Sequence, residues 1–402
     1  MKYLYYILAI CILAGCSSSF GEEEGGGRDA FVVRILDGNG SPVTENVRLD
    51  VYTVREDFNS LVPYADYDVT SGTAEITVYR PTRLIVTAVA SSYNPVRMTV
   101  DNAVAGQSVD IVLEPRSGLR IMEYNVDYGW GYQDPAEADW ESESARRKAS
   151  FVQWVKKYDP DIITFCELNC FGFGTEERPD DIDADFQEFA RQYGHSYASI
   201  RKQGGRNSFP TGISSRYPLS DIEKVELQTA PQTGYRVHGF LQAECEGVTL
   251  IACHLSSQDA TTREVEAEEI AKRVSAEEYA LCSGDMNSDS REDLAHLADG
   301  VWPNNRWWNS PPQYGPIDRY LDAGLEDSYY LVSDYFQATC SAKNGDELYD
   351  FSTISMTGMK VDCMMMTPSL AEKCDFAAII QTSQTRRASD HFPYMVHLDS
   401  FR

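Results

Sequence analysis

Eight polar side chains stand at the ends of apolar stretches, where packing alone gives no reason for them. Asn125 closes Leu119-Arg120-Ile121-Met122-Glu123-Tyr124. Glu167 follows Ile163-Thr164-Phe165-Cys166, and His254 follows Leu250-Ile251-Ala252-Cys253. Asp285 and Asn287 lie in Ser283-Gly284-Asp285-Met286-Asn287-Ser288. Asp362 begins Asp362-Cys363-Met364, and Asp390 and His391 lie in Ser389-Asp390-His391-Phe392-Pro393-Tyr394. Any one of these is as readily a cap, a turn residue or a satisfied core group. Together they supply four carboxylates, two amides and two imidazoles. Burying such groups without partners is costly. If the strand ends converge on one edge, the set offers hard oxygen ligands for Mg²⁺, Mn²⁺ or Ca²⁺ and imidazoles for proton transfer.

Elements that position such a set are legible from residue 119 onward, where strands and helices alternate. Residues 119–124, 161–168, 248–253, 280–283, 361–366 and 391–398 read as strands. Residues 145–158, 183–193 and 262–275 read as helices, the first with an apolar stripe at Phe151, Val152 and Val155. Four cysteines, Cys166, Cys253, Cys282 and Cys363, neighbour site residues on these strands. Successive strand residues face opposite ways, so these thiols are expected to be buried and free. There is no C-x-x-C pair of the structural zinc type.

Before this, within residues 29–115, segments 30–36, 47–53, 74–79, 83–90 and 108–113 read as short strands, 47–53 and 74–79 alternating with period two, with turns such as Asp37-Gly38-Asn39-Gly40-Ser41-Pro42. This pattern predicts a small antiparallel β-sandwich, with a hinge at Pro115-Arg116-Ser117-Gly118. The stretch resembles the prealbumin-like, carboxypeptidase-regulatory accessory domains of secreted bacterial proteins, which implies a spacer or docking role.

The N-terminus reads as targeting. Lys2 precedes an apolar run from Tyr3 to Leu13 that is too short to span a membrane comfortably. Leu13-Ala14-Gly15-Cys16 resembles a bacterial lipoprotein processing site, which implies cleavage after residue 15 and lipidation of Cys16. Residues 16–28, including Glu22-Glu23-Glu24-Gly25-Gly26-Gly27, form a solvated tether and resemble a surface-export signal. The expectation is an exported protein, lipid-anchored to the bacterial outer membrane and exposed at its surface, acting as a monomer.

The ordered series Asn125, Glu167, His254, Gly284-Asp285-Met286-Asn287, Asp362, Ser389-Asp390-His391 resembles the endonuclease/exonuclease/phosphatase (DNase I-like) superfamily over residues 119–402. The resemblance implies an α/β fold, a four-layer α/β sandwich, here preceded by the all-β domain. It implies divalent-metal-dependent phosphoester hydrolysis, with the metal on Glu167 assisted by Asn125 and Asp390. His391, oriented by Asp362, would be general base or electrostatic stabiliser. Asp285 would orient or deprotonate water, Asn287 would hydrogen-bond the phosphoryl oxygens, and His254 would protonate the leaving oxygen. The sequence departs from the family at one point. The family's counterpart of His254 has a carboxylate partner, and none is identifiable between Arg201 and Tyr217, where Arg206, Asn207 and Ser208 stand.

For substrate, an aromatic loop around Trp307 and Arg306 could stack on a ring and meet phosphate, with Arg319 as a further candidate. The net charge of −27 opposes polyanions. The one basic run, Arg146-Arg147-Lys148, is expected on a solvated helix face. A small or lipid-derived phosphoester is therefore favoured. A DNA or RNA nuclease is the alternative, and a non-catalytic surface binding protein is the reading from another class.

Overall fold

The computed structural model describes residues 30–133, 139–202, 209–227, 239–257, 259–298, 312–344 and 347–401. Cys16, Arg306 and Trp307 lie outside them, as do residues 203–208.

The N-terminal part holds seven strands: β1 (Phe31–Asp37), β2 (Val47–Arg55), β3 (Ser60–Val69), β4 (Thr73–Ile76), β5 (Thr82–Ala90), β6 (Val96–Ala103) and β7 (Ser108–Leu113). They form two sheets, β4-β1-β7 and β3-β2-β5-β6. Val33, Ile35, Leu49, Val51, Leu84, Val86, Ile111 and Leu113 fill the space between them. The expected antiparallel sandwich needs one correction, since β1 pairs with β7 in parallel. Period two fixes which face a strand buries but not the direction of its partner. Strands β3 and β6 carry mixed, half-exposed surfaces, and their weak patterns explain why sequence reading missed them.

The C-terminal part contains β8 (Leu119–Asn125), β9 (Ile162–Cys166), β10 (Tyr197–Arg201), β11 (Thr211–Ser215), β12 (Ser220–Val225), β13 (Phe240–Cys245), β14 (Val248–His254), β15 (Ala280–Asp285), β16 (Glu326–Asp327), a small hairpin of β17 (Lys343–Asn344) and β18 (Glu347–Leu348), β19 (Asp362–Met366), β20 (Cys374–Ile379) and β21 (Tyr394–Leu398). Among the described residues two six-stranded sheets result, β10-β11-β9-β8-β21-β20 and β12-β13-β14-β15-β19-β16. Their facing sides share a core that includes Leu119, Ile121, Ile213, Leu241, Leu250, Leu281, Met364 and Val396. Outside the first sheet, helices Trp140–Tyr158 and Ala184–Arg191 pack through Phe151, Trp154, Phe186 and Phe189. Outside the second, helices Ala260–Val274 and Gly315–Asp322 pack through Ile270, Val274, Ile317 and Tyr320. The layers run helix, sheet, sheet, helix, as the expected four-layer fold requires. Strands covered on both faces read as continuous apolar runs. In β14, Leu250 and Ala252 face the other sheet while Ile251 and Cys253 face the helices.

Register brings the site residues together. Strands β8 and β9 are parallel, with Asn125 opposite Cys166. Strands β14 and β15 are parallel, with His254 opposite Asp285. Antiparallel β19 starts at the same edge, with Asp362 opposite Asp285. Antiparallel β21 pairs Tyr394 with Glu123, so His391 precedes it at that edge too.

The stretch Pro115–Gly118, read from the sequence as a hinge, makes contacts with both parts of the chain. Arg116 pairs with Asp159 at 2.5 Å and with Asp161 at 2.8 Å. The backbone N–H of Ser117 donates to Asn94 Oδ1 at 2.7 Å. Gly118 sits at φ +67, and a Cβ there would fall 2.0 Å from Leu398 O. The two parts are further joined by Tyr52 Oη, which donates to Ile379 O at 3.0 Å, and by Arg97, which donates to Ala377 O at 3.2 Å.

One buried histidine supplies a pH test of stability. His195 lies between Ser214 Oγ (2.8 Å) and Pro160 O (3.0 Å). Burial lowers its imidazole to about 4, against the opposing pull of the Pro160 carbonyl. The unfolded chain takes up this proton near the ordinary value of 6.5, the folded chain only near the lower value. Stability from this group is therefore full above the unfolded value and falls as pH drops toward the folded one. The stability advantage of wild type over His195→Asn is expected to shrink by about 2–3 kcal/mol between about pH 7.5 and about pH 4.5. Urea unfolding at the two pH values checks this, and a pH-independent difference would refute it.

Candidate active site

At the shared strand edge, Asp285 is the hub. Its Oδ2 accepts from Asn125 Nδ2 at 3.1 Å and lies 3.6 Å from His254 Nε2 and 3.7 Å from His391 Nε2. Its Oδ1 accepts from the Asn287 backbone N–H at 2.8 Å. Asp285 is almost fully buried. Burial raises its carboxyl above the usual range and Asp362 adds to this, while His391 and the hydrogen bonds oppose it.

His391 is gripped from behind. Its Nδ1 lies 2.7 Å from Asp362 Oδ2, and its backbone N–H donates to Ser389 Oγ at 3.1 Å. Burial works against the imidazolium, but Asp362, Cys340 and Asp390 outweigh it and raise the ring well above its ordinary value. With Nδ1 held by Asp362, the ring turns Nε2 toward Asp285, and Asp390 Oδ1 lies 3.9 Å from that nitrogen.

Glu167 sits just past β9 in a left-handed conformation, φ 65. Its Oε1 accepts from Asn125 Nδ2 at 3.2 Å, and its Oε2 from the Tyr128 backbone N–H at 2.8 Å. Burial, then the charges of Asp390 and Asp127, push its carboxyl up to about 8. Several acids crowding one buried carboxyl is the arrangement that a hard divalent cation relieves.

The structure thus brings Asn125, Glu167, His254, Asp285, Asn287, Asp362, Asp390 and His391 to one edge, with two refinements. Asn125 turns its N–H groups to Glu167 and Asp285, and its Oδ1 accepts from the Asp127 backbone N–H at 3.2 Å. Its amide therefore orients the two carboxylates. Asn287 Nδ2 donates to Leu255 O at 2.9 Å, which ties that side chain to the loop after β14. Arg319 is not at the site; it pairs with Glu264 on the outer helix at 3.0 Å.

Sequence reading missed several neighbours. Glu123 is fully buried, and burial together with the Asp362 charge raises its carboxyl well above the usual range. The signal was available, since Glu123 shares a strand face with Asn125. Residues 127–131 form a left-handed turn, with φ of 46, 53, 69, 62 and 83. Such a turn costs about 1–2 kcal/mol per non-glycine residue. It is held by Ser144 Oγ, which donates to Gly129 O at 3.1 Å, by buried Trp130, and by Arg147. Arg147 is not the solvated residue expected; it is buried and reaches Asp127 at 3.1 Å and Glu143 at 2.6 Å. Gly129 fits this turn because a Cβ would lie 2.7 Å from Cys170 N. Beside the site, Phe209 meets the rings of Tyr128 and His254 edge-on, at 5.3 and 5.8 Å. Cys166, Cys253, Cys282 and Cys363 are buried and free, as expected. Cys166 differs from the other three in lying between the sheets, with its Sγ 3.0 Å from Cys253 O.

Comparison with known proteins bears on the same region. The model of the endonuclease/exonuclease/phosphatase family matches residues 122–322, half of the chain. No curated protein matches. Among solved structures, a 3' phosphatase from Neisseria bound to a product DNA hairpin is 17% identical with a TM-score of 0.49, covering 70% of this chain and 99% of that one. A 3'-5' exonuclease from Neisseria meningitidis is 16% identical with a TM-score of 0.48, covering 70% and 100%. An AP endonuclease from Archaeoglobus fulgidus is 17% identical with a TM-score of 0.46, covering 70% and 99%.

Proposed function

The chain belongs to the endonuclease/exonuclease/phosphatase family, and from that premise we propose that it hydrolyses a small or lipid-derived phosphoester with the help of a divalent cation. The observation that carries the reading is the convergence of two imidazoles on one buried carboxylate, Asp285 Oδ2. That geometry suits in-line attack by water, with charge stabilised on one side and a proton supplied on the other.

The donor set fits a hard cation. Glu167 would be the first ligand and Asp390 the second, with Asn125 steadying Glu167. When bound, Mg²⁺ or Mn²⁺ neutralises charge on the phosphoryl group and favours displacement. Asp285, held by Asn125 and by the Asn287 N–H, orients the water and accepts its proton; burial keeps it basic enough to do so. His391, kept cationic by Asp362, donates from Nε2 to a non-bridging oxygen. His254 gives a proton to the departing oxygen. Tyr128 and Phe209 form the apolar wall beside it.

A compact substrate agrees with the engagement of two arginines among the described residues near the site. Arg147 is bound to Asp127 and Glu143, and Arg263 donates to Ser256 O at 2.7 Å. The overall charge of −27 also disfavours long polyanions.

Hydrolysis of bis-p-nitrophenyl phosphate and p-nitrophenyl phosphate tests the proposal. Release is expected with Mg²⁺ or Mn²⁺ and is expected to vanish with EDTA. Glu167→Gln is expected to lose about 100-fold or more with its fold intact. Metal-independent release, or full activity in Glu167→Gln, would overturn the assignment.

Export and lipid attachment at Cys16 are part of the same proposal, and rest on Leu13-Ala14-Gly15-Cys16 and the acidic tether behind it. No helix among the described residues is long and apolar enough to cross a membrane. Metabolic labelling with a radioactive fatty acid, abolished in Cys16→Ala, tests this attachment.

A further inference from the structure

Beside His391 lies a thiol that the hydrolytic reading does not use. Cys340 Sγ, a ring nitrogen of His391 and a carboxylate oxygen of Asp390 lie within 4.8 Å of one another. Of the two ring nitrogens, Nδ1 is taken by Asp362, and Nε2 lies 3.9 Å from Asp390 Oδ1. The backbone locks this juxtaposition. Cys340 bridges His391 in antiparallel fashion. The N–H of Phe392 donates to Thr339 O at 2.7 Å, and that of Ala342 to Asp390 O at 2.7 Å. The backbones that carry the thiol and the imidazole therefore cannot separate without breaking a short stretch of β-pairing.

We propose that Cys340, Asp390 and His391 form a zinc site that inhibits the enzyme. One sulfur, one nitrogen and one oxygen are the ligand types Zn²⁺ prefers, whereas Mg²⁺ keeps to oxygen. Tetrahedral zinc holds its donors about 2.0–2.3 Å from the ion, so the donors need to close by only about 1 Å from the observed spread. On binding, the Cys340 thiol releases its proton to solvent and the thiolate sulfur bonds the ion. The ion occupies His391 Nε2 and Asp390 together. It removes the donor that meets the phosphoryl oxygen and a ligand of the catalytic cation, while Glu167 keeps its oxygens for Mg²⁺. The inhibition rests on the hydrolytic reading above; the metal site does not.

Two measurements separate the inference from that reading. In the first, the metal-free full chain is titrated with Co²⁺ as a spectroscopic stand-in. A near-ultraviolet thiolate-to-cobalt band is expected in wild type, and its loss is expected in both Cys340→Ser and His391→Ala. A band that persists in Cys340→Ser, or no band in wild type, would overturn the site. X-ray absorption on wild-type chain loaded with one equivalent of Zn²⁺ decides the same point without a variant. One sulfur in the shell supports the site, and a shell of oxygen and nitrogen alone refutes it. In the second measurement, Zn²⁺ is added to the Mg²⁺-supported reaction. Wild type is expected to be inhibited and restored by a zinc chelator, while Cys340→Ser keeps its Mg²⁺ activity and needs at least about tenfold more Zn²⁺. Equal sensitivity of the two would overturn the inhibitory role. If neither chain hydrolyses the phosphoester, the proposed function fails while the cobalt spectrum still decides the site.

Discussion

Replacing His391 with alanine is expected to slow phosphoester hydrolysis by about 10²–10⁴-fold, with little change in KM. The side chain meets the phosphoryl group through Nε2, and its charge matters most when negative charge grows in the transition state, so kcat carries the loss. Asp362→Asn probes the same element differently. The 2.7 Å contact from Asp362 Oδ2 to Nδ1 fixes the ring's orientation and sustains its charge. An amide in its place keeps the shape and removes the charge, so Asp362→Asn is expected to lose nearly as much rate as His391→Ala. The double variant should lose little more than either single one, because residues acting as a unit are non-additive. Steady-state kinetics on the four chains checks this. Fully additive losses, or an Asp362→Asn enzyme as fast as wild type, would detach Asp362 from His391.

Asp50→Ala is expected to destabilise the chain by about 3–5 kcal/mol, although Asp50 is remote from the catalytic set in sequence and lies in the other sheet system. Asp50 on β2 is buried. Arg48 Nε donates to its Oδ1 at 2.8 Å, and Tyr158 Oη donates to its Oδ2 at 2.7 Å. Tyr158 ends the helix Trp140–Tyr158, so the network spans the junction between the N-terminal sheets and the α/β sandwich. Removing the carboxylate strands a buried guanidinium, for which Asp66 at 2.8 Å is only partial compensation, and takes the acceptor from the Tyr158 O–H, whose oxygen still accepts from Arg48 Nε at 3.2 Å. A double-mutant cycle with Tyr158→Phe should return a coupling of about 0.5–3 kcal/mol. Denaturant unfolding is the measurement. A wild-type midpoint for Asp50→Ala would mean that the junction contributes nothing to stability. Replacing the whole cluster with apolar residues of similar volume should be far less harmful than removing one partner.

The sequence was most informative where chemistry and burial conflict. A carboxylate after Phe165-Cys166, or a histidine after Ala252-Cys253, is visible because its neighbours demand a dry environment. The β14 and β15 strands were legible because covering by a second sheet and by helices leaves a continuous apolar run. The reading failed where burial was one-sided or polar. Strands β3 and β6 expose much of one face. Arg147 looked solvated because a basic run on a helix usually is, yet an acid twenty residues earlier draws it inward. Cys340 carried no signal, since its neighbour His391 lies fifty-one residues away in sequence and next to it only in space.

The four-layer plan came from the family resemblance; by itself the sequence determined the inventory and order of the reactive groups and the apolar runs of the central strands. These follow from hydrophobic periodicity and residue chemistry, which are local properties of the chain. Only the tertiary structure decided which atoms meet. Asp285 stands between two imidazoles because parallel and antiparallel registers bring His254, Asp285 and Asp362 level. Glu167 receives the Tyr128 N–H because a left-handed turn, anchored by Arg147, points it there. Such contacts depend on register and sheet packing between residues far apart in the chain, and a period of two or 3.6 specifies a face, not a partner.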